Sequence, residues 1–145
     1  MTFRAGFFKG THTGVSGLYN RFVRFWTRGD YSHMILMFSD GNSASATYLG
    51  GGIAITPSLP DDNTQWDYIE LPLELESTAR NWFELHNGKA YDIMANLRFG
   101  FGFLPPGNDK YDCSESCMEA LGFPAGWRFE PNAAYDVLIT QYPSK

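Results

Sequence analysis

The chain has 145 residues, of which 43% are hydrophobic and 17% aromatic, and its formal net charge is -5. This length and composition predict one well-packed domain spanning residues 1–145. The acidic charge argues against nucleic-acid binding, and no stretch of about 18 apolar residues offers a membrane span. The first residues also lack the apolar core of a secretory signal, so we expect a cytoplasmic protein.

The first half of the sequence is typical of strands joined by tight turns, with one helix among them. Strands are predicted at residues 3–8, 31–38, 43–49, 53–56 and 66–71, and apolar residues at helical spacing predict a helix over 18–26. Asp40-Gly41 is a strong hairpin signal, so the second and third strands should pair antiparallel.

The second half of the sequence is mainly helical. Apolar spacing predicts a helix over residues 77–86 that ends at Asn87-Gly88, and a second helix that begins at Cys113 and stops at Gly122. A closing strand is predicted over residues 135–140. The order of elements therefore predicts an α+β fold, with an antiparallel sheet packed against helices and a cysteine at a helix N-terminus.

Cys113 is the best candidate for a nucleophile in this sequence. The positive end of the helix dipole and the unpaired amides at a helix start favour the thiolate, which is the reactive form of cysteine. Cys117 lies one turn further on and is expected to be a small buried residue. The two cysteines are badly placed for a disulfide, and the chain lacks the paired spacings of a structural zinc site.

A cysteine nucleophile needs a base, and histidine is the side chain best suited to that role near neutral pH. His12 lies in a glycine-rich loop, and His86 lies near a helix C-terminus, where a cation is favoured for structural reasons alone. His33 begins a strongly apolar strand. We therefore expect His33 to be the general base; the alternative is a half-buried histidine with a structural role.

Several short motifs occur in an order that resembles the circularly permuted NlpC-type cysteine hydrolases, which are papain-like proteins. In that family the histidine strand precedes the nucleophile helix, and the similarity here covers roughly residues 3–125. The motifs are Tyr31-Ser32-His33-Met34-Ile35-Leu36, Asp40-Gly41, Gly51-Gly52-Ile53, Trp66-Asp67, Gly88-Lys89-Ala90-Tyr91-Asp92 and Cys113-Ser114-Glu115. Small proteins of this kind are common in bacteriophages, and the resemblance implies such an origin.

The resemblance also implies roles for individual residues. Cys113 would be the nucleophile and His33 the general base. Tyr91 matches a tyrosine near the nucleophile and would donate to the oxyanion together with the backbone amide of Cys113. The alternative for Tyr91 is an aromatic core residue.

The residue that orients the histidine is where the sequence departs from the family pattern. Relatives carry His, Asn, Asp or Glu on the strand after the histidine, but residues 43–49 offer only hydroxyl groups as orienting side chains. A three-residue loop at Asp40-Gly41-Asn42 would pair position 39 with 43 and place Ser43, Ser45 and Thr47 on the face of His33. We expect Ser45 or Thr47 to orient the imidazole. A two-residue turn would instead present Ala44, Ala46 and Tyr48.

These residues predict a cysteine peptidase or amidase that acts through a covalent acyl-enzyme, without a metal or cofactor. The expected partner is a peptide or acyl substrate, and peptidoglycan peptides are the class that the resemblance implies. One alternative is an acyltransferase or thioesterase acting on lipid or protein acyl groups. Another is an inactive phage module with a structural or host-interaction role. The expected location is the cytoplasm, which is the host's if a phage encodes the protein, or alternatively the phage particle.

Overall fold

A computed structural model of the protein describes residues 2–9, 29–47, 51–57, 65–91 and 110–143. The strands are β1 Arg4–Phe8, β2 His33–Met37, β3 Ser43–Thr47, β4 Gly52–Thr56, β5 Trp66–Glu70, β6 Ala90–Tyr91 and β7 Lys110–Tyr111. The α-helices in these segments are α1 Glu76–His86, α2 Cys113–Ala120 and α3 Pro131–Gln141, and Leu73–Leu75 and Gly126–Arg128 form 3-10 turns. This arrangement confirms the α+β class.

Five of the strands form one antiparallel sheet in the order β4-β3-β2-β1-β5, and β6 and β7 form a separate parallel pair. One face of the sheet carries the core, because alternate residues of a strand project to the same side. Ala5 of β1 pairs with Leu36 of β2 and with Ile69 of β5, and all three side chains are fully buried. The helices cover this face with buried residues that include Ala79, Phe83, Cys117, Met118, Ala134 and Leu138.

The β2–β3 hairpin has the predicted facing but a different register. Met37 pairs with Ser43, so the loop is Ser39–Gly41 and not Asp40–Asn42, and the predicted pairing of positions 39 and 43 is wrong. The Asp40 carboxylate accepts from the Asn42 amide at 3.0 Å, and Gly41 has φ 90°, which is the geometry of a three-residue hairpin loop. Odd-numbered residues still pair with odd-numbered residues, so the predicted face is retained.

The chain end differs from the sequence prediction. Residues 135–140, predicted as a strand, lie within helix α3. The Glu130 carboxylate caps this helix by accepting from the amides of Asn132 and Ala133, and Pro131 occupies its first turn. These start signals outweigh the β-branched residues of the segment, since a cap and a proline at the first turn favour the helical geometry.

The other elements agree with the sequence pattern where they are described. α1 ends before Gly88, which has φ 82°. α2 ends at Ala120 and is followed by Gly122, which has φ 89°; the amides of Gly122 and Phe123 donate to the carbonyls of Glu119 and Met118 at 2.9 and 3.0 Å. The predicted helix over residues 18–26 lies outside the described residues.

Gly52 lets strand β4 contact the chain after α1. The Ile53 amide donates to the Lys89 carbonyl at 2.9 Å, and a Cβ on Gly52 would lie 2.0 Å from that oxygen. We expect Gly52→Ala to cost about 2–5 kcal/mol, from backbone strain at positive φ plus the lost hydrogen bond. Gly51→Ala is the matched control, because Gly51 also has positive φ but has nothing within 4 Å; about 1–2 kcal/mol is expected. Urea unfolding measures both, and equal losses would contradict the role of the contact.

Candidate active site at the start of helix α2

The start of helix α2 is held by a buried carboxylate. Asp112, only 2% exposed, accepts from the Glu115 amide at 2.7 Å and from the Ser114 hydroxyl at 3.1 Å. Ser114 also donates to the Phe129 carbonyl at 2.8 Å. Asp112 is therefore the N-cap, and Cys113 is the first helical residue in a firmly positioned turn.

The Cys113 thiol is buried against the backbone of β2. Cys113 is 5% exposed, and its thiol forms a hydrogen bond with the backbone of Met34. Burial, followed by the neighbouring Asp112 carboxylate, raises the pKa of the Cys113 thiol to about 12, although backbone hydrogen bonds act in the opposite direction. The amides of the helix start therefore act on the thiol in the predicted direction, but burial outweighs them.

His33 begins strand β2, one residue before Met34. It pairs with Phe8 of β1, which in turn pairs with Trp66 of β5, and the His33 ring meets Trp66 edge to face with 6.4 Å between centroids. Met34, the next residue, is fully buried in the core that the helices cover. Cys113 and His33 therefore lie at the same end of β2. The Cys113 thiol contacts the backbone of Met34, and the His33 ring lies beside Trp66.

Ser45 also binds this stretch of β2. Its hydroxyl donates to the Met34 carbonyl at 2.7 Å, and the residue is 7% exposed. The contact places Ser45 beside the residue that follows His33. The orientation of the His33 imidazole by Ser45 or Thr47 stays a prediction.

Cys117 occupies the interior next to the same carbonyl. Its sulfur lies 3.8 Å from the Met34 oxygen and 3.9 Å from the Ala44 oxygen, and the residue is fully buried. Burial, with a smaller contribution from Cys113, raises the pKa of the Cys117 thiol well above its ordinary value. The expectation of a small buried core residue is confirmed.

Tyr91 reaches the site region through its main chain. It pairs with Tyr111 in the parallel β6–β7 ladder, two residues before Cys113. The predicted donation from its phenol concerns a side chain outside the described part of the structure. His12 also lies outside the described residues.

His86 has a different environment. Its ring stacks on Trp82 with 3.9 Å between centroids, and Nδ1 lies 2.7 Å from the Trp82 carbonyl oxygen. Tyr111 meets the His86 ring edge to face at 5.7 Å. These contacts fit the structural role expected for a histidine near a helix C-terminus.

The sequence did not predict a polar cluster of Tyr31, Asp67 and Lys9 near His33. The Tyr31 hydroxyl donates to Asp67 at 2.5 Å, and Lys9 donates to the other carboxylate oxygen at 2.7 Å. Burial would raise the pKa of Asp67, but these two hydrogen bonds prevail and lower it. Burial first, and then Asp67, raises the pKa of Tyr31 above the ordinary range of a phenol. The Trp66-Asp67 motif was the available sequence signal.

Comparisons with known proteins add no family assignment. The chain matches no protein-family model, and no curated protein is significantly similar to it. Among the described residues, no three His, Cys, Asp or Glu side chains are grouped as metal ligands. In the same part of the chain, no helix has both the length and the apolar character needed to cross a membrane.

Proposed function

We propose that the protein is a cysteine hydrolase, an amidase or peptidase with a permuted papain-like fold of the NlpC type. One observation carries the proposal: the Cys113 thiol contacts the backbone of Met34, the residue after His33. A helix-start cysteine and a strand histidine, 80 positions apart in sequence, therefore share one end of strand β2. Papain-like catalysis needs that pairing of elements.

The proposed reaction proceeds through a thioester. The Cys113 sulfur attacks the substrate carbonyl carbon while the thiol proton passes to the His33 imidazole. The tetrahedral intermediate then collapses, the carbon–nitrogen or carbon–oxygen bond breaks, and the leaving amine or alcohol takes the proton from His33. Water next attacks the thioester with His33 again acting as base, which releases the acid and restores the thiol.

The neighbouring groups have supporting roles in this proposal. The Cys113 amide, at the helix start, and the Tyr91 phenol donate to the oxyanion. Ser45 steadies the histidine segment, either directly or through its hydrogen bond to the Met34 carbonyl. Because the thiol is held protonated by burial, the proton must leave during attack, so His33 is required as a base and not only as a counter-ion.

The proposed substrates are peptides or acyl compounds. Peptidoglycan stem peptides are the class implied by the resemblance to NlpC-type hydrolases, with a bacteriophage protein as the setting. Lipid or protein acyl groups are the variant in which the protein is an acyltransferase or thioesterase. The choice between hydrolysis and transfer depends on whether water or another acceptor reaches the thioester.

One observation favours a second candidate function, that of a non-catalytic phage module. Cys113 is almost fully buried and its pKa is raised to about 12, which is the opposite of the exposed, low-pKa thiol of most cysteine enzymes. Such a module would keep the fold as a structural or host-binding unit.

Trapping the acyl-enzyme tests the proposal directly. The intact protein is incubated with p-nitrophenyl acetate, longer acyl esters and peptidoglycan stem peptides, and then analysed by peptide mass spectrometry. We expect one acyl group on Cys113 and turnover that is lost in Cys113→Ser but kept in Cys117→Ser. No adduct on Cys113 with any of these compounds, or turnover that survives Cys113→Ser, would contradict the proposal and favour the non-catalytic module.

A further inference from the structure

The main chain entering the histidine strand is clamped by a side chain from the far end of the sequence. The Tyr31 amide donates to Asn132 Oδ1 at 3.0 Å, and Asn132 Nδ2 donates to the Tyr31 carbonyl at 3.2 Å. One side-chain amide thus satisfies both backbone groups of Tyr31. It connects the first turn of α3 to the chain just before β2, across 101 positions of sequence.

Asn132 is itself held in one orientation. Its Nδ2 also donates to Glu130 Oε2 at 2.9 Å, and its backbone amide donates to the same oxygen at 2.9 Å. A Cβ on Gly29 would lie 2.0 to 2.3 Å from the atoms of the Asn132 amide group, so the glycine is what makes room for it. The contact therefore depends on two residues that can be changed separately.

The Tyr31 side chain is fixed as well. Its ring packs against Phe7 and Tyr135, with 4.6 Å between the centroids of Tyr31 and Tyr135, and its hydroxyl donates to Asp67. Tyr31 is consequently a fixed point only two residues before His33 and three before Met34. Over such a short extended segment, about 3.3 Å per residue, a displacement of Tyr31 is passed on to both residues.

We propose that Asn132 is a positioning residue for the reaction, an inference that rests on the proposed function. By fixing the Tyr31 main chain, Asn132 sets where the His33 imidazole and the Met34 backbone stand relative to the Cys113 thiol. Asn132 takes no part in proton transfer. Its contribution is the geometry of attack, where errors of about 1 Å cost roughly a hundredfold in rate.

Two substitutions break the same contact from opposite sides. Asn132→Ala removes the amide, and Gly29→Ala displaces it. With p-nitrophenyl acetate, or the best ester or peptide of the trapping panel, each is expected to lower kcat by about 10- to 100-fold. KM should change by less than about twofold, because substrate binding is untouched. The double variant should be no worse than either single variant, since both remove one contact.

The matched control separates positioning from loss of stability. Leu138→Ala removes a fully buried side chain two turns further along α3 and leaves the Tyr31 contact in place. Leu138→Ala should lower Tm at least as much as Asn132→Ala does. Its kcat, measured at a temperature where the variant and wild type are both folded, should stay within about twofold of wild type. A kcat loss in Leu138→Ala equal to that in Asn132→Ala would overturn the inference.

A spectroscopic readout keeps the test independent of turnover. In protein labelled at histidine Cε1, we expect Asn132→Ala and Gly29→Ala to move the His33 resonance and leave the His86 resonance in place, while Leu138→Ala moves neither. An unmoved His33 resonance refutes positioning by Asn132. If instead His33 moves but wild type gives no Cys113-dependent turnover, the proposed function fails, and with it the catalytic meaning of the clamp.

Discussion

Raising the pH from 9 to 11 is expected to remove several kcal/mol of folding stability, because both thiols are buried in their neutral form. The unfolded chain releases a thiol proton near pH 8.5, whereas burial keeps Cys113 protonated to a pKa of about 12 and raises that of Cys117 also. Above pH 8.5 the unfolded state thus binds fewer protons than the folded state. The free energy of unfolding then falls as the pH rises, by on the order of 1 kcal/mol per pH unit for each thiol that stays protonated in the folded protein.

The slope of stability against pH, rather than its absolute value, identifies the thiols. Wild type should lose stability with rising pH more steeply than either Cys113→Ala or Cys117→Ala, because each variant lacks one of the two buried thiols. Lysine and tyrosine titration contributes equally in all variants and cancels in the comparison. Urea unfolding at several pH values gives the slope of the unfolding free energy against pH for each protein. A slope unchanged in Cys113→Ala would mean that this thiol ionises in the folded protein as readily as in the unfolded chain.

The sheet could be read from the sequence because its signals are local. The apolar run of β2 and the Asp40-Gly41 turn define a hairpin on their own, and its facing depends only on the parity of the pairing. The register depends on which residues close the loop. That was decided by the αL geometry of Gly41 and the carboxylate of Asp40, which the sequence indicates without fixing the pairing.

The closing helix shows where local propensity misleads. Residues 135–140 contain Val, Ile and Thr, which favour strands, but the capping carboxylate of Glu130 and the following Pro131 begin a helix upstream. The acidic cap followed by proline is the sequence signal that indicates a helix here. The clamp of Asn132 on Tyr31 had no such signal, since it joins two residues with no periodic relation.

The candidate site was only partly readable for the same reason. The positions of Cys113 at a helix start and His33 on a strand follow from local patterns. The burial that raises the Cys113 pKa follows from the packing of α2 on β2, which no local pattern contains. A helix terminus alone therefore did not determine the ionisation of its cysteine, because desolvation depends on tertiary contacts.

Replacing His33 is expected to have the largest effect on activity after replacement of the nucleophile. Because the Cys113 thiol is held neutral, attack requires a base that removes its proton, and general base catalysis contributes about 10²- to 10⁴-fold. His33→Ala should therefore lower kcat/KM on the substrate found by acyl trapping by that factor. His86→Ala is the matched control, since His86 is bound to Trp82 and belongs to α1. Its kcat/KM per folded molecule should stay within about twofold of wild type.

The pH profile distinguishes a base from a residue that merely packs against Trp66. In wild type, kcat/KM should fall on the acid side as the base becomes protonated, and this limb should disappear in His33→Ala. His33→Gln keeps much of the volume beside Trp66 without a titrating nitrogen, so it should match His33→Ala in rate and in the missing limb. If His33→Gln retained both the wild-type rate and its acid limb, another group would be the base, and the contact of Cys113 with the Met34 backbone would be structural only.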